Sequence, residues 1–213
     1  MAYTYTEELN ISHISSDKYE HYESARSNFF IFTLYEEDWK DKLLYPHVNP
    51  DTVGEDISKV SFDAGTIVKN LRLNVSKASV PNFTVGVKEY RRGNDVIKFA
   101  GVPEFKEGSL TIEDTVGTHV KDMLYAWQYL AYNPLNRKGG RMAKYKKRAV
   151  LSEYTQDYKE IRQWELEGCW VTGIEEGEFD REGGDDKRQL TVSLAYDRAI
   201  MTMSLDADGN PVI

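Results

Sequence analysis

Gly108-Ser109-Leu110-Thr111-Ile112-Glu113-Asp114 is the stretch that decides the fold of this chain, because a strand pattern here leads directly into a helical one. Leu110 and Ile112 alternate with polar residues, and this period of two is typical of a β-strand with one buried face. We therefore expect a half-buried strand that is followed almost at once by a helix.

The helix is predicted from apolar residues that recur every three or four positions and so fall on one face. These residues are Val116, Val120, Leu124, Trp127 and Ala131, with Met123 and Leu130 widening the stripe. Asp114, Thr115 and Thr118 are the candidate N-caps, and Asn133-Pro134 ends the run. We expect Trp127 to fill space in the core.

The C-terminal third of the chain is predicted to form one large antiparallel hairpin. Its first strand carries Trp164, Leu166, Gly168, Trp170, Thr172 and Ile174 on one face, and its second carries Leu190, Val192, Leu194 and Tyr196. We interpret Cys169 as a small strand residue, because no motif supplies it with a catalytic partner. Residues 175–186 then form an acidic hairpin loop.

The patterns in the first half of the chain are shorter. Residues 29–34 form a continuous apolar run, which is typical of a well-buried strand, and residues 16–26 are a candidate for a short polar helix. Further strands are predicted from Ile67, Leu71, Leu73 and Val75, and from Phe83, Val85 and Val87, whose hairpin turns at 91–95 and returns at 96–99. Residues 36–61 show no clear period, which indicates an ordered extension or insertion.

These elements predict a mainly β (α+β) fold, in which a rolled antiparallel sheet or β-barrel is packed by one α-helix. Because the chain has 213 residues, we expect a single domain over residues 1–213. Its special segments are a helical or extended N-terminal arm at 1–28, an insertion or extension at 36–66, a basic loop at 133–149 and the acidic hairpin loop at 175–186.

Composition indicates a folded protein without a membrane segment. Hydrophobic residues make up 40% of the chain and aromatic residues 12%. The N-terminus is polar, and no segment approaches the roughly 18 apolar residues of a membrane span. The single cysteine excludes an internal disulfide, so we expect folding in a reducing cytosol.

Two segments of opposite charge stand out against the net charge of −8. The basic segment, residues 137–148, contains no acid and holds Arg137, Lys138, Arg141, Lys144, Lys146, Lys147 and Arg148. The acidic segment, residues 175–186, holds Glu175, Glu176, Glu178, Asp180, Glu182, Asp185 and Asp186 against Arg181 alone. Unlike patches on one subunit favour head-to-tail contact between copies, which builds rings and filaments. The alternative is that both segments are solvated loops.

The sequence offers no constellation for catalysis, for a cofactor or for a metal. The four histidines, His13, His21, His47 and His119, are scattered and lack zinc-ligand spacing. Gly139-Gly140 lacks the rest of a phosphate loop, and Pro211 stands where a calcium loop starting at Asp206 needs glycine. We therefore expect a protein that is not an enzyme and needs no cofactor.

Taken in order, several motifs resemble the tail tube proteins of contractile-tailed bacteriophages. Arg26-Ser27-Asn28-Phe29 resembles the entry into that family's first strand, and Ala78-Ser79-Val80-Pro81 resembles its small-residue and proline junction. The strand at 108–114 with the following helix, and the segment from Lys144 to Asp157, resemble its next elements. Trp164-Glu165-Leu166-Glu167-Gly168-Cys169-Trp170 resembles its aromatic strand. The resemblance covers roughly residues 20–201 and departs at 36–66 and in the long basic connection at 133–149.

The resemblance implies a structural subunit that forms stacked hexameric rings and so builds a conduit for genome ejection. The implied partners are other copies of the chain, the tail sheath protein, the tape measure protein, and baseplate and tail terminator proteins. Double-stranded DNA would only pass through the lumen. The implied location is the tail of the virion, assembled in the cytoplasm of the host bacterium.

Other interpretations remain open at this point. The chain could be the tube protein of a related contractile injection or secretion system, which uses the same assembly, or a tube-like baseplate or tail-terminating component. It could also be a nucleic-acid-binding module, because Lys and Arg of residues 137–148 could neutralise phosphates and Tyr145 could stack on a base. An acidic protein is an unusual background for such a module.

Overall fold

The computed structural model describes residues 28–52, 60–115, 117, 119–155, 158–177 and 187–203. The strands are β1 (Phe30–Leu34), β2 (Leu43–Leu44), β3 (Ser61–Phe62), β4 (Val75–Ala78), β5 (Phe83–Arg92), β6 (Asp95–Phe105), β7 (Gly108–Glu113), β8 (Tyr132–Asn133), β9 (Lys138–Gly139), β10 (Lys147–Tyr154), β11 (Glu160–Glu176), β12 (Gln189–Ala195) and β13 (Arg198–Met203). The helices are α1 (Ala64–Asn74), α2 (Val120–Ala131) and α3 (Met142–Tyr145), with a 3-10 turn at Glu36–Trp39.

One long strand, β11, holds two antiparallel sheets together. Its first part lies between β10 and β13, and β10 pairs in turn with β1. Its last part pairs with β12, which continues through β7 to β4. Because β1 and β4 also approach one another, the sheets roll around a common core. The predicted mainly β fold of rolled antiparallel strands is thereby confirmed.

The predicted strand and hairpin in the C-terminal third are also confirmed, but one regular alternation along β11 is wrong. The buried positions run Leu166, Cys169, Val171 and then the partly buried Ile174, so the period breaks twice. The ladder to β10 and the ladder to β12 shift register at these breaks. At the first break Gly168 has a φ of 66°, which is the left-handed conformation of a glycine bulge. Cys169 is therefore fully buried in the core.

Helix α2 covers the core, as its apolar stripe predicts. Trp127 is buried, its indole Nε1–H donates to the carbonyl of Tyr145 at 2.6 Å, and its ring meets Trp39 edge to face at 5.2 Å. The predicted helix start is wrong, because α2 begins at Val120 and its N-cap position is His119, whose side chain makes no capping bond to the backbone. Trp39 shows that the region predicted as an insertion packs into the core.

The prediction of a strand around Ile67 and Leu71 is wrong, because these residues lie in helix α1. Ala64, Ile67, Val68 and Leu71 are buried at helical spacing. Asp63 caps the helix, since its carboxylate accepts a hydrogen bond from the backbone N–H of Gly65 at 3.0 Å. The fold therefore has a second long helix in addition to the predicted one.

Some predictions fall on residues outside the described ranges. These are the helix at 16–26 with most of the arm at 1–28, the N-cap candidate Thr118, the first stripe residue Val116, the residues near Asp206, and Glu178, Asp180, Glu182, Asp185 and Asp186 of the acidic segment. Among the described helices, none has the length and apolar character that crossing a bilayer requires.

Candidate assembly surfaces

The hairpin of β5 and β6 projects from the rolled sheets, and beyond its base no other described element covers it. Its strands form a separate two-stranded sheet. All ten residues of β5 are exposed, and in β6 only Gly101 and Phe105 are partly covered. An isolated two-stranded hairpin is at best marginally stable in water, so this one needs further protein to cover it.

The exposed surface of this hairpin is rich in large apolar side chains, which change faces along its length. Near the base, Val85 faces Pro103 and Val87 faces Ala100 across the strands. Farther out, Tyr90 faces Ile97 on the opposite face. The large exposed apolar side chains of the hairpin are Phe83, Val85, Val87, Tyr90, Val96, Ile97, Phe99 and Val102. Apolar surface on both faces marks a contact site for other protein.

A bulge lies between these two halves of the hairpin. Between the pairs Val85–Pro103 and Val87–Ala100, β6 has one residue more than β5, so the register shifts. Gly101 lies so near β5 that a Cβ atom there would be 2.8 Å from the carbonyl oxygen of Gly86. Two glycines thus allow the strands to approach closely at the bend.

The base of the hairpin is anchored on the rolled sheets by contacts between aromatic rings. Phe83 and Phe105 lie 5.4 Å apart, and Phe105 meets Tyr196 edge to face at 6.1 Å. Beside them, an apolar hollow of about 300 Å³ is lined by Phe83, Trp164 and Met201 among other residues. The hollow borders β13, a strand that pairs with only one neighbour among the described strands.

The described part of the acidic segment begins in β11, where Glu175 is exposed and Glu176 is bound by helix α2. The Glu176 carboxylate accepts hydrogen bonds from Lys121 at 2.7 Å and from Tyr125 at 2.6 Å, and it pairs with Arg188. The bonds from Lys121 and Tyr125 hold the pKa of Glu176 below its usual value. Burial and Glu176 raise the pKa of Tyr125 to about 12. Glu176 therefore fastens the start of the acidic segment to α2.

The basic segment, predicted within a loop at 133–149, contains strand β9, helix α3 and the start of β10. Four of its seven cations form ion pairs within the chain: Lys138 with Asp51 at 2.8 Å, Lys144 with Asp41 at 2.7 Å, Lys146 with Asp197 at 2.7 Å and Arg148 with Asp38 at 3.0 Å. Arg137 and Arg141 form no ion pair with a described residue. Much of the segment's charge is therefore neutralised by distant carboxylates, three of them at residues 38–51.

The cation that remains, Lys147, lies against the core. Its ammonium is 4.9 Å from the centre of the Trp39 ring and donates to the carbonyl oxygen of Asp38 at 2.6 Å. Burial lowers the pKa of Lys147. Burial would raise the pKa of Asp38, but hydrogen bonds from Arg148 lower it below its usual value. Lys147 and Arg148 thus hold residues 36–39 on the sheet.

A cleft of about 440 Å³ separates residues 38–50 from the end of α2 and the basic segment. Its deepest residues are buried and apolar, and they include Trp39, Leu43 and Ala126. Its exposed margin is mainly cationic, with Lys42, Lys138, Arg141 and Lys144. The indole Nε1 of Trp39 is buried and has no hydrogen-bond partner among the described residues. The cleft therefore combines an apolar floor with a basic rim.

The described residues hold neither a cluster of metal ligands nor a reactive thiol. No three His, Cys, Asp or Glu side chains lie close enough there to hold a metal ion. Burial raises the pKa of the Cys169 thiol to about 12, so it is protonated and unreactive at neutral pH. The conspicuous features of the described residues are the exposed apolar hairpin of β5 and β6, the unpaired strand edges and the basic cleft. Such surfaces are typical of structural proteins that assemble with further protein.

The chain belongs to the T4-like virus tail tube protein gp19 family, whose model matches residues 59–200. The tail tube protein gp19 of Enterobacteria phage T4 is 28% identical over 106 residues, which cover 49% of this chain and 65% of that protein. The tail tube protein gp19 of Enterobacteria phage T6 is 29% identical over the same length. The alignment thus spans slightly less than two thirds of these relatives. The resemblance seen in the sequence is confirmed.

Solved structures show the same fold at low identity. The anti-feeding prophage cap, a tube-terminating protein, aligns with a TM-score of 0.56 at 16% identity and covers 85% of this chain and 93% of that one. A chain of the sheath–tube complex of the PVC extracellular contractile injection system aligns with a TM-score of 0.56 at 15% identity, over 91% of this chain and 98% of that one. The rolled sheet is therefore shared with components of contractile injection systems.

Proposed function

We propose that this protein is the structural subunit of a phage tail tube, in which copies form hexameric rings that stack into a conduit for genome ejection. The observation that carries the proposal is the hairpin of β5 and β6, whose apolar side chains are exposed although the body has a well-packed core. In a tube, neighbouring copies would cover this hairpin and remove its apolar surface from water.

The edges of the rolled sheets support assembly from copies. Strands β1, β4 and β13 each pair with one neighbour among the described strands, so each offers backbone groups for pairing. Pairing between copies would continue the sheets around a ring and satisfy these groups. The family membership supports the same arrangement.

The proposal includes the partners and the location that the family implies. The whole chain acts as one tube domain, surrounded by tail sheath protein, filled during assembly by tape measure protein, and bounded by baseplate and tail terminator proteins. DNA passes through the lumen without a binding site. The subunit is assembled in the host bacterial cytoplasm and resides in the virion tail, where it catalyses no reaction.

Electron microscopy of the purified protein, together with a shortened hairpin, tests the proposal. Val87 and Ala100 are paired partners, so residues 88–99 can be replaced by an Asn-Gly turn that closes the hairpin early. The wild-type protein should form rings or hollow tubes of uniform diameter, and the shortened variant should stay dispersed with an unchanged near-UV circular dichroism spectrum. Lys98→Gln, which keeps the hairpin at full length, is the control and should form tubes.

Two results would overturn the proposal. Tubes from the shortened variant would show that the hairpin does not carry assembly. Absence of the protein from purified virions by mass spectrometry, combined with dispersed wild-type protein at every concentration, would exclude a tube subunit. A DNA titration across salt concentrations is the parallel test of the nucleic-acid alternative, and we expect no tight, salt-sensitive binding because the chain carries a net charge of −8.

A further inference from the structure

We propose that the cleft between residues 38–50 and the basic segment binds the acidic segment of a second copy of this chain, with Phe179 as the apolar anchor. This inference rests on the proposed function as a tube subunit and names the contact between successive copies. It follows from where the two surfaces lie on one helix and from the chemistry of the cleft.

The cleft and the described start of the acidic segment lie toward opposite ends of helix α2. In its first half, Lys121 and Tyr125 hold Glu176 at the start of the acidic segment. Its last turn contributes Tyr129 and Leu130 to the cleft. A helix of twelve residues is about 18 Å long, so the surfaces are separated along its axis.

This placement favours contact between copies in the same orientation. A copy displaced along the α2 axis would present its acidic end to the basic end of the next one. The contact would be heterologous, because each subunit uses two different surfaces, and a heterologous contact can be repeated without limit. A two-fold dimer that paired the same two surfaces would use both of them at once and stop at two copies. The charge distribution therefore fits a stack of copies.

The chemistry of the cleft matches the sequence of the acidic segment. Phe179 stands between Glu178 and Asp180, so an aromatic ring is flanked by two carboxylates. The cleft offers buried Trp39 and Leu43 beneath an exposed basic rim. Its volume of about 440 Å³ lies within the range of about 300–1,000 Å³ found for ligand pockets. An apolar floor can receive the ring while the rim pairs with the carboxylates.

Two cations of the rim are available to pair with the carboxylates of a second copy. Lys42 and Arg141 line the cleft, are exposed and form no ion pair with a described residue. Lys138 and Lys144 also lie on the rim, but they are paired with Asp51 and Asp41. Both pairs are exposed, so exchanging a carboxylate of the same chain for one of a neighbour costs little.

Site-directed cross-linking between two co-expressed variants tests the contact. One copy carries Lys42→Cys on the rim, and the other carries Arg181→Cys, two residues from the anchor and outside the set of acids. Cys169 is buried, so a short bismaleimide will react with the engineered thiols alone. Distinct affinity tags identify the cross-linked heterodimer. We expect this heterodimer in high yield.

The matched control replaces Lys42→Cys by Arg137→Cys. Arg137 is an exposed cation of the basic segment but does not line the cleft, so its yield should be several times lower. Equal yields from the two pairs, or no heterodimer in samples that contain tubes by electron microscopy, would overturn the inference and leave the tube function standing. A cross-linked heterodimer in a protein that never forms tubes would support the contact but overturn the proposed function as a tube subunit.

A charge exchange gives an independent measurement of the same contact. Arg141→Glu should reduce the sedimentable assembled fraction, and adding Asp180→Arg should restore it, whereas Arg137→Glu should have little effect. Lys146 and Lys147 are unsuitable for this test, because reversing them would disrupt contacts with Asp197 and Trp39 inside the subunit. Assembly of Arg141→Glu at the wild-type level would contradict the inference.

Discussion

Two long antiparallel hairpins in this chain differ in the exposure of their apolar side chains. In the hairpin of β11 and β12, Val171, Leu190 and Val192 are almost fully buried, because the strands form part of the rolled sheets and α2 packs on β11. In the hairpin of β5 and β6, side chains of the same types, such as Val87, remain exposed. One hairpin is covered within the chain, and the other is left exposed among the described residues. Strand pattern alone therefore does not reveal which partner covers a strand.

Loosening helix α2 from the hairpin of β11 and β12, the body hairpin, should have the largest effect. Trp127→Ala deletes a buried ring that packs on Trp39, and it loses the hydrogen bond to the carbonyl of Tyr145. We expect the free energy of unfolding to fall by about 3–5 kcal/mol in denaturant titrations. Leu73→Ala, at an exposed site on α1, should change it by less than about 0.5 kcal/mol. A loss below about 1 kcal/mol for Trp127→Ala would mean that α2 does not hold the body together.

The same substitution in the two hairpins compares them directly. Val192→Ser places a hydroxyl at a fully buried site, so we expect a loss of about 2–4 kcal/mol in the free energy of unfolding. Val87→Ser lies at a site with 65% exposure and should change subunit stability by less than about 0.5 kcal/mol.

Val87→Ser should impair assembly, although it leaves the free energy of unfolding of the subunit nearly unchanged. Electron microscopy should show fewer tubes from Val87→Ser, and the deficit should deepen when Phe99→Ser is added. Tubes of normal number and length from this double variant would show that the apolar faces of the projecting hairpin are not covered by neighbouring copies.

The bulge in β11 offers a smaller test of the body hairpin. Gly168 has a positive φ, and a Cβ atom there would lie 2.3 Å from a carboxylate oxygen of Asp197. Gly168→Ala should therefore cost about 1–3 kcal/mol, measured by thermal or denaturant unfolding. Gly173→Ala in the same strand is the control, because its Cβ would meet only Ser193 at 4.0 Å. Equal losses for the two variants would reject the bulge as the cause.

The smallest effect is expected from acid, which should weaken the contact of Glu176 with helix α2 at the end of the body hairpin. The folded pKa of Glu176 lies below its usual value of 4.5 because Lys121 and Tyr125 bind the carboxylate. Its contribution to stability is therefore complete above the unfolded pKa and is lost as the pH falls through the folded pKa. The melting temperature of the wild type should fall more steeply below about pH 4.5 than that of Glu176→Gln. Glu175→Gln, at the exposed neighbouring residue, should keep the wild-type slope.

The sequence predicted the elements that depend on local pattern. The strand at 108–113, the stripe of α2 and both hairpins follow from alternation or helical spacing over a few residues. Helix α1 also had a readable signal, because Asp63 caps a run in which Ala64, Ile67, Val68 and Leu71 recur at helical spacing. Leu71, Leu73 and Val75 alternate as in a strand, and this second pattern conceals the helical one. The breaks in β11 required knowing that Gly168 adopts a positive φ.

The basic cleft could not be predicted from the sequence, because its parts are far apart in the chain. Asp41 and Lys144 are more than 100 residues apart, and no local pattern links them. The run of charges at residues 137–148 predicts a cationic patch, but the structure shows that four of those cations have carboxylate partners within the chain. Trp39, in a region without clear periodicity, forms part of the cleft and of the core.

The bulge opposite Gly86 has a consequence for any closed assembly. A β-bulge bends its strands, so Gly101 contributes to the direction in which the hairpin leaves the body. Every copy repeats that direction, and an angular error in one subunit is multiplied around the circle until the last copy fails to meet the first. Gly101→Ala would therefore change the curvature of the assembly. The number of subunits that closes a ring would change with it, although no contact residue is altered.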